Sequence, residues 1–176
     1  MKYMGSKNRI AKNLLPIMLK NRTEGQWWVE PFVGGANMID KVNGNRIGSD
    51  SNKYLIASLV KLQQGWLPEK SISEETYINV KENINMYEDF FVGYIGFQLS
   101  FGAMWFSTFR RDKAGVRDYS LEAYRNVKKQ AKKIKGVIFS HNRYEEVVIP
   151  NKSIIYCDPP YRGTAGYKEN NSCLNY

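Results

Sequence analysis

A short apolar run that stops at two prolines constrains the fold of this chain more than any other segment. Residues 153–157 are rich in β-branched and aromatic side chains, and the tetrapeptide Asp158-Pro159-Pro160-Tyr161 follows them directly. This pattern predicts a buried strand that ends in a rigid turn. Because ligands of open α/β sheets bind at the carboxyl ends of the strands, we expect the turn to lie at a binding site.

The residues of this turn suit a planar base that carries an amino group. An exocyclic amine is a poor nucleophile because its lone pair is delocalised into the ring. The Asp158 carboxylate and the Pro159 carbonyl could accept the amine hydrogens and localise that lone pair. Pro160 would keep the turn rigid, and the Tyr161 ring would stack on the base. The competing interpretation is that Asp158 only caps the next segment, and the motif alone does not decide between the two.

The charge of the chain favours an anionic partner. The 176 residues carry a formal net charge of +9, and this length fits one domain with or without an insertion. Between residues 105 and 135, ten basic residues stand against three acidic ones, a net charge of +7. A charged run is usually a solvated helix face, but this one is nearly single-signed and begins in a loop dense in aromatic residues. Nucleic acid is therefore the favoured partner.

The sequence also argues against several classes of protein and site. No apolar run approaches the length of a membrane span, and the charged N-terminus lacks a signal-peptide pattern. We expect a soluble, monomeric protein of a reducing cytoplasm. Cys157 and Cys173 have neither metal-like nor disulfide-like spacing, and His141 has no Cys or His neighbours. We therefore expect no metal site and no membrane contact, and we interpret His141 as structural.

The order of the apolar segments predicts an α/β fold with a helical insertion. Helices are expected at the N-terminus, after Asp50 and through the middle of the chain, with Ser6, Ser71 and Ser120 as caps. We assign residues 1–55 and 135–176 to the sheet domain and residues 56–134 to a mainly helical insertion. The expected strands cover residues 26–32, 45–48, 137–140 and 153–157.

Three further motifs precede Asp158-Pro159-Pro160-Tyr161 in a fixed order. They are the segments 2–7 (KYMGSK) and 29–35 (VEPFVGG) and the residue Asp50 at the end of the second expected strand. With these motifs the whole chain resembles the Dam-type DNA adenine methyltransferases (D12 class, α group), which transfer a methyl group from S-adenosylmethionine to adenine N6. The resemblance implies a Rossmann-like methyltransferase sheet, a DNA-recognition insertion and base flipping in double-stranded DNA.

The resemblance also implies a cofactor site. Glycines after the first strand permit close backbone approach to the cofactor, and Asp50 is placed to accept hydrogen bonds from ribose hydroxyls. Each residue has an ordinary alternative role, as a turn, cap, core or surface residue, and it is their order that favours the site. The cofactor-binding residues implied are Tyr3, Lys7, Phe32, Gly34, Gly35, Asp50 and Asp158.

The expected DNA contacts fall in the basic segment. Residues 106–115 resemble the recognition hairpin of the family, whose basic and aromatic side chains enter the duplex. The basic helix that follows is expected to touch phosphates. The candidate DNA-binding residues are Arg110, Arg111, Lys113, Arg117, Lys128 and Lys132.

Two departures from the family pattern qualify this reading. Ala36 stands where relatives commonly have glycine, and its methyl group is expected to crowd the cofactor. Only fifteen residues follow Tyr161, so we expect the sheet to be incomplete at its C-terminal side and the chain to be truncated. The main hypothesis is a DNA adenine-N6 methyltransferase. The alternatives are a non-catalytic DNA- or cofactor-binding remnant and, more remotely, an RNA or protein methyltransferase.

Overall fold

Four parallel strands form the centre of the molecule in the computed structural model, which describes residues 1–161. The strands lie in the order β3-β2-β1-β4, so the expected α/β, Rossmann-like sheet is confirmed. The first strand is shorter than the sequence predicted, because the chain turns away directly after Glu30. The strands are β1 (Trp28–Glu30), β2 (Arg46–Asp50), β3 (Val137–His141) and β4 (Ile154–Ile155).

Helices cover both the N-terminal region and the long connection between β2 and β3. The helix expected at the N-terminus is present and is preceded by a separate 3₁₀ turn. The α-helices are α1 (Ala11–Met18), α2 (Lys53–Gln63), α3 (Glu74–Glu82), α4 (Asp89–Gln98) and α5 (Tyr119–Lys133). The 3₁₀ turns are Lys7–Arg9, Ile39–Lys41, Ile84–Met86, Phe101–Ala103 and Tyr144–Glu146.

The direction in which strands are added reverses between β1 and β4. From β1 the sheet grows through β2 to β3 on one side, whereas β4 pairs with the other side of β1. A crevice forms at such a switch point because the connections leave the two neighbouring strands in opposite directions. The glycine turn after β1 and the Asp158 turn after β4 therefore meet at one edge of the sheet.

Close packing of α2 against α4 holds the helical layer together. A Cβ atom on Gly93 would lie 2.1 Å from the carbonyl oxygen of Tyr54 and 2.4 Å from Ser58 Oγ, so only glycine permits this approach. Ser58 Oγ also donates to the carbonyl of Phe90 at 2.7 Å. The helix α4 is buried over most of its circumference from Val92 to Gln98, as expected of a helix that is apolar on all sides.

Two of the expected helix caps are wrong. Ser73, not Ser71, caps α3 by accepting a hydrogen bond from the amide of Thr76 at 3.1 Å. Asp118, not Ser120, caps α5, and Ser120 Oγ instead accepts from the amide of Ile72. Both errors arise because neighbouring polar residues compete for one cap and tertiary contacts decide between them. Ser6 does accept from the amide of Asn8 at the first 3₁₀ turn.

Within residues 1–161, no helix has the length and apolar character that crossing a membrane requires.

Candidate active site

The carboxylate of Asp158 is surrounded by three polar side chains. Lys7 Nζ lies 2.7 Å from each of its two oxygens. The hydroxyl of Tyr161 donates to Oδ1 at 3.2 Å, and that of Tyr156 reaches Oδ2 at 3.5 Å. Lys7 Nζ also lies 5.1 Å from the centre of the Tyr161 ring. The segment 2–7 and the turn after β4, which lie far apart in the sequence, thus form one polar cluster.

The charges of this cluster follow from its surroundings. Burial by itself lowers the pKa of Lys7, but hydrogen bonds to Asp158 and Tyr161 outweigh this effect and raise the pKa above its usual value. Lys7 therefore stays an ammonium ion. Burial, with repulsion from Asp158 and Glu30, raises the pKa of the Tyr156 hydroxyl. Tyr156 therefore remains a hydrogen-bond donor to Asp158 over the whole neutral range.

A cleft of about 200 Å³ opens between the two turns at the switch point. One wall comes from the N-terminal segment, a second from the glycine turn after β1 and a third from the turn after β4. The lining residues include Tyr3, Lys7, Glu30, Phe32, Gly34, Gly35, Asn37, Tyr156, Asp158, Pro159, Pro160 and Tyr161. The structure thus brings together all the predicted catalytic residues and all the predicted cofactor-binding residues except Asp50.

The two glycines let the N-terminal segment lie directly on the turn. A Cβ atom on Gly34 would sit 2.9 Å from Tyr3 Cδ1, and Gly34 has a φ of +48°. A Cβ atom on Gly35 would sit 2.8 Å from the carbonyl oxygen of Met1. Ala36 has a φ of 56°, which explains why glycine suits this position better. Ala36 is fully buried and is not among the lining residues of the cleft. Its methyl group therefore contacts other protein atoms and does not face the cleft, where the sequence analysis expected it to crowd the cofactor.

Asp50 lies behind the glycine turn and is not among the residues that line this cleft. Its Oδ2 accepts from the amide of Gly34 and its Oδ1 from the amide of Asn52, both at 3.0 Å. Burial raises the pKa of Asp50, although these hydrogen bonds oppose the shift. In this arrangement Asp50 supports the turn, and its contact with a ribose remains a prediction.

Glu30 is a cleft residue that the sequence analysis left without a role. Its side chain is almost completely buried at the end of β1, and Oε1 accepts from Trp28 Nε1 at 2.7 Å. Burial raises the pKa of Glu30 to about 8, and the negative charges of Asp40 and Asp158 add to this shift. The sequence feature that could have pointed to Glu30 is a carboxylate at the end of an apolar strand, just before the glycine turn.

Phe32 lines the cleft and also contacts a residue that does not line it. Its ring stacks on that of Tyr144, with centroids 5.4 Å apart. The prediction that Phe32 walls a cofactor pocket is compatible with this position.

The expected recognition hairpin is anchored to the segment that follows α4. Its Phe109 forms an antiparallel bridge with Ser100, two residues after the end of α4. Phe106 is only 6 % exposed, and the Phe109 ring packs 5.4 Å from that of Tyr77. Phe106 is thus a core residue, and Phe109 is partly buried against the core. Phe101, which is 65 % exposed, is the aromatic residue that this region presents to solvent.

The basic candidates differ in how freely their charges are presented. Arg110 is largely buried, with its guanidinium 4.1 Å from the Tyr119 ring centre and 3.8 Å from Glu122. Arg111 is exposed but forms an ion pair with Glu74. The remaining four lie at the surface, in the loop that precedes α5 or on α5 itself: Lys113, Arg117, Lys128 and Lys132.

The loop that carries Lys113 and Arg117 is closed by one carboxylate. Asp112 Oδ2 accepts from the amides of Val116 and Arg117 at 2.8 and 2.6 Å. These hydrogen bonds lower the pKa of Asp112, that from Arg117 most, so the loop keeps its closing contact at neutral pH.

Within residues 1–161, no group of three or more His, Cys, Asp or Glu side chains is placed to hold a metal ion.

A family model matches slightly more than the first half of the chain. No individual curated protein matches the chain significantly. The family model of the D12 class N6 adenine-specific DNA methyltransferases matches residues 3–97, which include the N-terminal motif, the glycine turn, Asp50 and most of α4. On this match over more than half of its length, the chain belongs to the D12 class of N6 adenine-specific DNA methyltransferases.

Proposed function

We propose that this chain transfers a methyl group from S-adenosylmethionine to N6 of an adenine flipped out of duplex DNA. The observation that carries the proposal is the position of Asp158, across one cleft from the glycine turn of a chain in this family. The test is transfer of a labelled methyl group to duplex DNA, with N6-methyladenine identified as the product. Binding of both ligands without transfer would favour the alternative, a non-catalytic remnant.

In this proposal the turn after β4 activates the amine. Asp158 Oδ and the Pro159 carbonyl accept the amine hydrogens, so the nitrogen lone pair becomes available. The exposed ring of Tyr161 stacks on the base. The nitrogen supplies the electron pair of the new N–C bond to the methyl group that bound S-adenosylmethionine provides, sulfur keeps the pair of the broken bond, and Asp158 takes the released proton.

Lys7 has to release Asp158 before the adenine amine can bind there. Its ammonium group makes hydrogen bonds to both carboxylate oxygens, which are the acceptors that the amine would need. We propose that Lys7 orients the carboxylate until the base arrives, and then moves within the cleft.

The cofactor is proposed to bind against the glycine turn and the N-terminal segment. The space that Cβ atoms on Gly34 and Gly35 would fill is taken by the N-terminal segment, which brings Tyr3 against the turn. We propose that the backbone of this turn, Phe32 and Tyr3 hold S-adenosylmethionine. Asp50 is proposed to act through the turn that it supports and on the ribose hydroxyls.

The first prediction concerns cofactor affinity. We expect the unmutated chain to bind S-adenosylmethionine, and Asp50→Ala to weaken binding by roughly 1 to 3 kcal/mol, because both amide partners of the carboxylate lose their acceptor. Calorimetric titration measures the change. Asp89→Ala, which removes an exposed carboxylate paired with Lys53, is the matched control. Equal affinities of the two variants would contradict the proposed role of Asp50.

We further propose that residues 1–55 and 135–176 form the catalytic domain and that residues 56–134 recognise DNA. All of α3, α4 and α5 and most of α2 lie in this second range, and so do the exposed Lys113, Arg117, Lys128 and Lys132. These four residues are proposed to contact phosphates. Arg110 and Arg111 are proposed to read bases once DNA displaces their acidic partners.

Phe101 is the best-placed ring to fill the gap that a flipped adenine leaves. It follows α4 by three residues, and Gln98 at the end of α4 makes two hydrogen bonds to the backbone of Lys2, beside the cleft. The loop is held rigid because the amide of Phe101 donates to the carbonyl of Thr108 at 2.7 Å. An apolar ring inserted between base steps stabilises the opened duplex.

We expect Phe101→Ala to weaken binding to duplex DNA by roughly 1 to 3 kcal/mol, the value of one base-stacking contact, and Phe101→Trp to retain it. Fluorescence of 2-aminopurine at the target position reports base flipping, and it should fall with Phe101→Ala. Ile17→Ala, which removes another exposed apolar side chain, is the control. If Phe101→Ala leaves both signals unchanged, another residue fills the gap.

A further inference from the structure

A second pocket lies on the other side of the N-terminal segment. It has a volume of about 310 Å³ and is lined by α5, the 3₁₀ turn Ile39–Lys41 and the first residues of the chain. Four of its lining residues are lysines and one is an aspartate, so these side chains carry a net charge of +3. The lining residues are Met1, Lys2, Asn8, Asn37, Asp40, Lys41, Asn126, Lys129, Gln130 and Lys133.

Two of the four lysines are available for a ligand. Lys2 forms an ion pair with Glu122, and Lys41 forms one with Asp40. Within residues 1–161, by contrast, neither Lys129 nor Lys133 forms an ion pair. These two residues are one turn apart on α5 and therefore project from the same side of the helix.

The floor of the pocket is rigid and already hydrogen-bonded. Gln130 Nε2 donates to the carbonyl oxygens of Gly35 and Ala36 at 2.9 and 3.1 Å, and to Asp40 Oδ2 at 3.2 Å. These contacts fix α5 against the glycine turn. A ligand in the pocket would therefore meet a preformed surface, with ammonium groups at its rim and amide groups from Asn8 and Asn126 beside them.

The second pocket and the cleft share a wall. Residues 3–7 line the cleft, Lys2 and Asn8 line the second pocket, and Asn37 lines both. Asn37 Nδ2 donates to the carbonyl of Met1 at 2.8 Å, which fixes this wall. A group bound in the second pocket would therefore lie directly behind the N-terminal segment, whose Lys7 contacts Asp158.

We propose that this pocket binds a phosphate group of the DNA backbone through Lys129 and Lys133, and so anchors the strand beside the cleft. A phosphate suits the site because compact ammonium groups attract it as point charges, and because a chain of this family acts on DNA. The inference rests on the proposed function. The same chemistry would also accept free inorganic phosphate, and the experiment separates the two sources.

The experiment compares two double variants that each remove two positive charges. Lys129→Ala with Lys133→Ala removes the two pocket lysines that form no ion pair within residues 1–161. The control, Lys12→Ala with Lys20→Ala, removes exposed lysines that neither line the pocket nor belong to the proposed DNA-binding residues. Inorganic phosphate is titrated at constant ionic strength and its binding is followed by the shift in melting temperature. A short duplex is then titrated at several salt concentrations. All four substituted lysines are exposed, so both variants should fold.

We expect saturable phosphate binding by the unmutated chain and by the Lys12/Lys20 variant, and at least a tenfold loss in the Lys129/Lys133 variant. Duplex affinity should also fall about tenfold further in the Lys129/Lys133 variant than in its control, and the salt slope should fall with it. Absence of saturable phosphate binding by the unmutated chain overturns the site. Phosphate binding with equal duplex affinities of the two variants overturns the DNA backbone as its source. Neither outcome depends on methyl transfer, so the proposed function can fail independently.

Discussion

Asp158→Ala is expected to lower the rate of methyl transfer to adenine by at least about 10²- to 10³-fold, the cost of losing one preorganised acceptor. The loss should appear in kcat, because the carboxylate acts on the amine during transfer. Nonspecific DNA affinity should change little, because the basic surface of α5 is untouched. Tyr161→Ala should lower affinity for the flipped base by roughly 1 to 3 kcal/mol, and Tyr161→Phe by much less.

The control for this experiment is the neighbouring residue. Cys157→Ala changes an exposed free thiol two residues after β4 and should leave the rate unchanged. Asp158→Asn keeps one acceptor oxygen but replaces the other with a donor that faces Lys7, so it should also be severely impaired. Single-turnover transfer of a labelled methyl group, with S-adenosylmethionine binding measured separately, gives the comparison. An Asp158→Ala variant that binds both ligands and transfers at the parental rate would refute the catalytic assignment.

The parts of the site that could be predicted from the sequence have local signals. A strand followed by two glycines, or by Asp158 and two prolines, predicts a turn at the carboxyl end of that strand from the local sequence alone. The switch point then brings these turns together, because β1 and β4 are neighbours in a parallel sheet. The expected cleft therefore followed from short patterns and one rule of topology.

The parts that could not be predicted depend on which residues meet across the fold. Lys7 and Asp158 are 151 positions apart, and no local pattern specifies their ion pair. Phe106 and Phe101 are both aromatic, but only packing against Tyr77 and Trp105 decides that Phe106 is the buried one. For the same reason, the run of lysines on α5 does not by itself predict the pocket behind the N-terminal segment.

The second large effect is expected at Glu30 and concerns how the free energy of unfolding depends on pH. Its pKa rises from 4.5 to about 8 on folding, mainly because the buried carboxylate loses its hydration. Below pH 4.5 the carboxyl is protonated in both the folded and the unfolded chain, so it imposes no penalty. Between pH 4.5 and 8 the unfolded chain releases the proton while the folded chain retains it. The free energy of unfolding therefore falls as the pH rises.

We expect this group to lower the free energy of unfolding by up to about 5 kcal/mol between pH 4.5 and 8. Asp50, whose pKa is also raised by burial, acts in the same direction. Glu30→Gln should remove the contribution of Glu30, because the amide oxygen can still accept from Trp28 Nε1 and carries no charge. Urea denaturation at several pH values measures the difference.

The sign of the pH dependence distinguishes this explanation from general acid or base sensitivity. At pH 5 the parent chain and Glu30→Gln should be similarly stable, and at pH 8 the variant should be more stable by several kcal/mol. The same substitution at the exposed Glu82 should change neither value. A Glu30→Gln variant that is less stable than the parent at pH 8 would mean that the carboxylate is ionised and has a cationic partner.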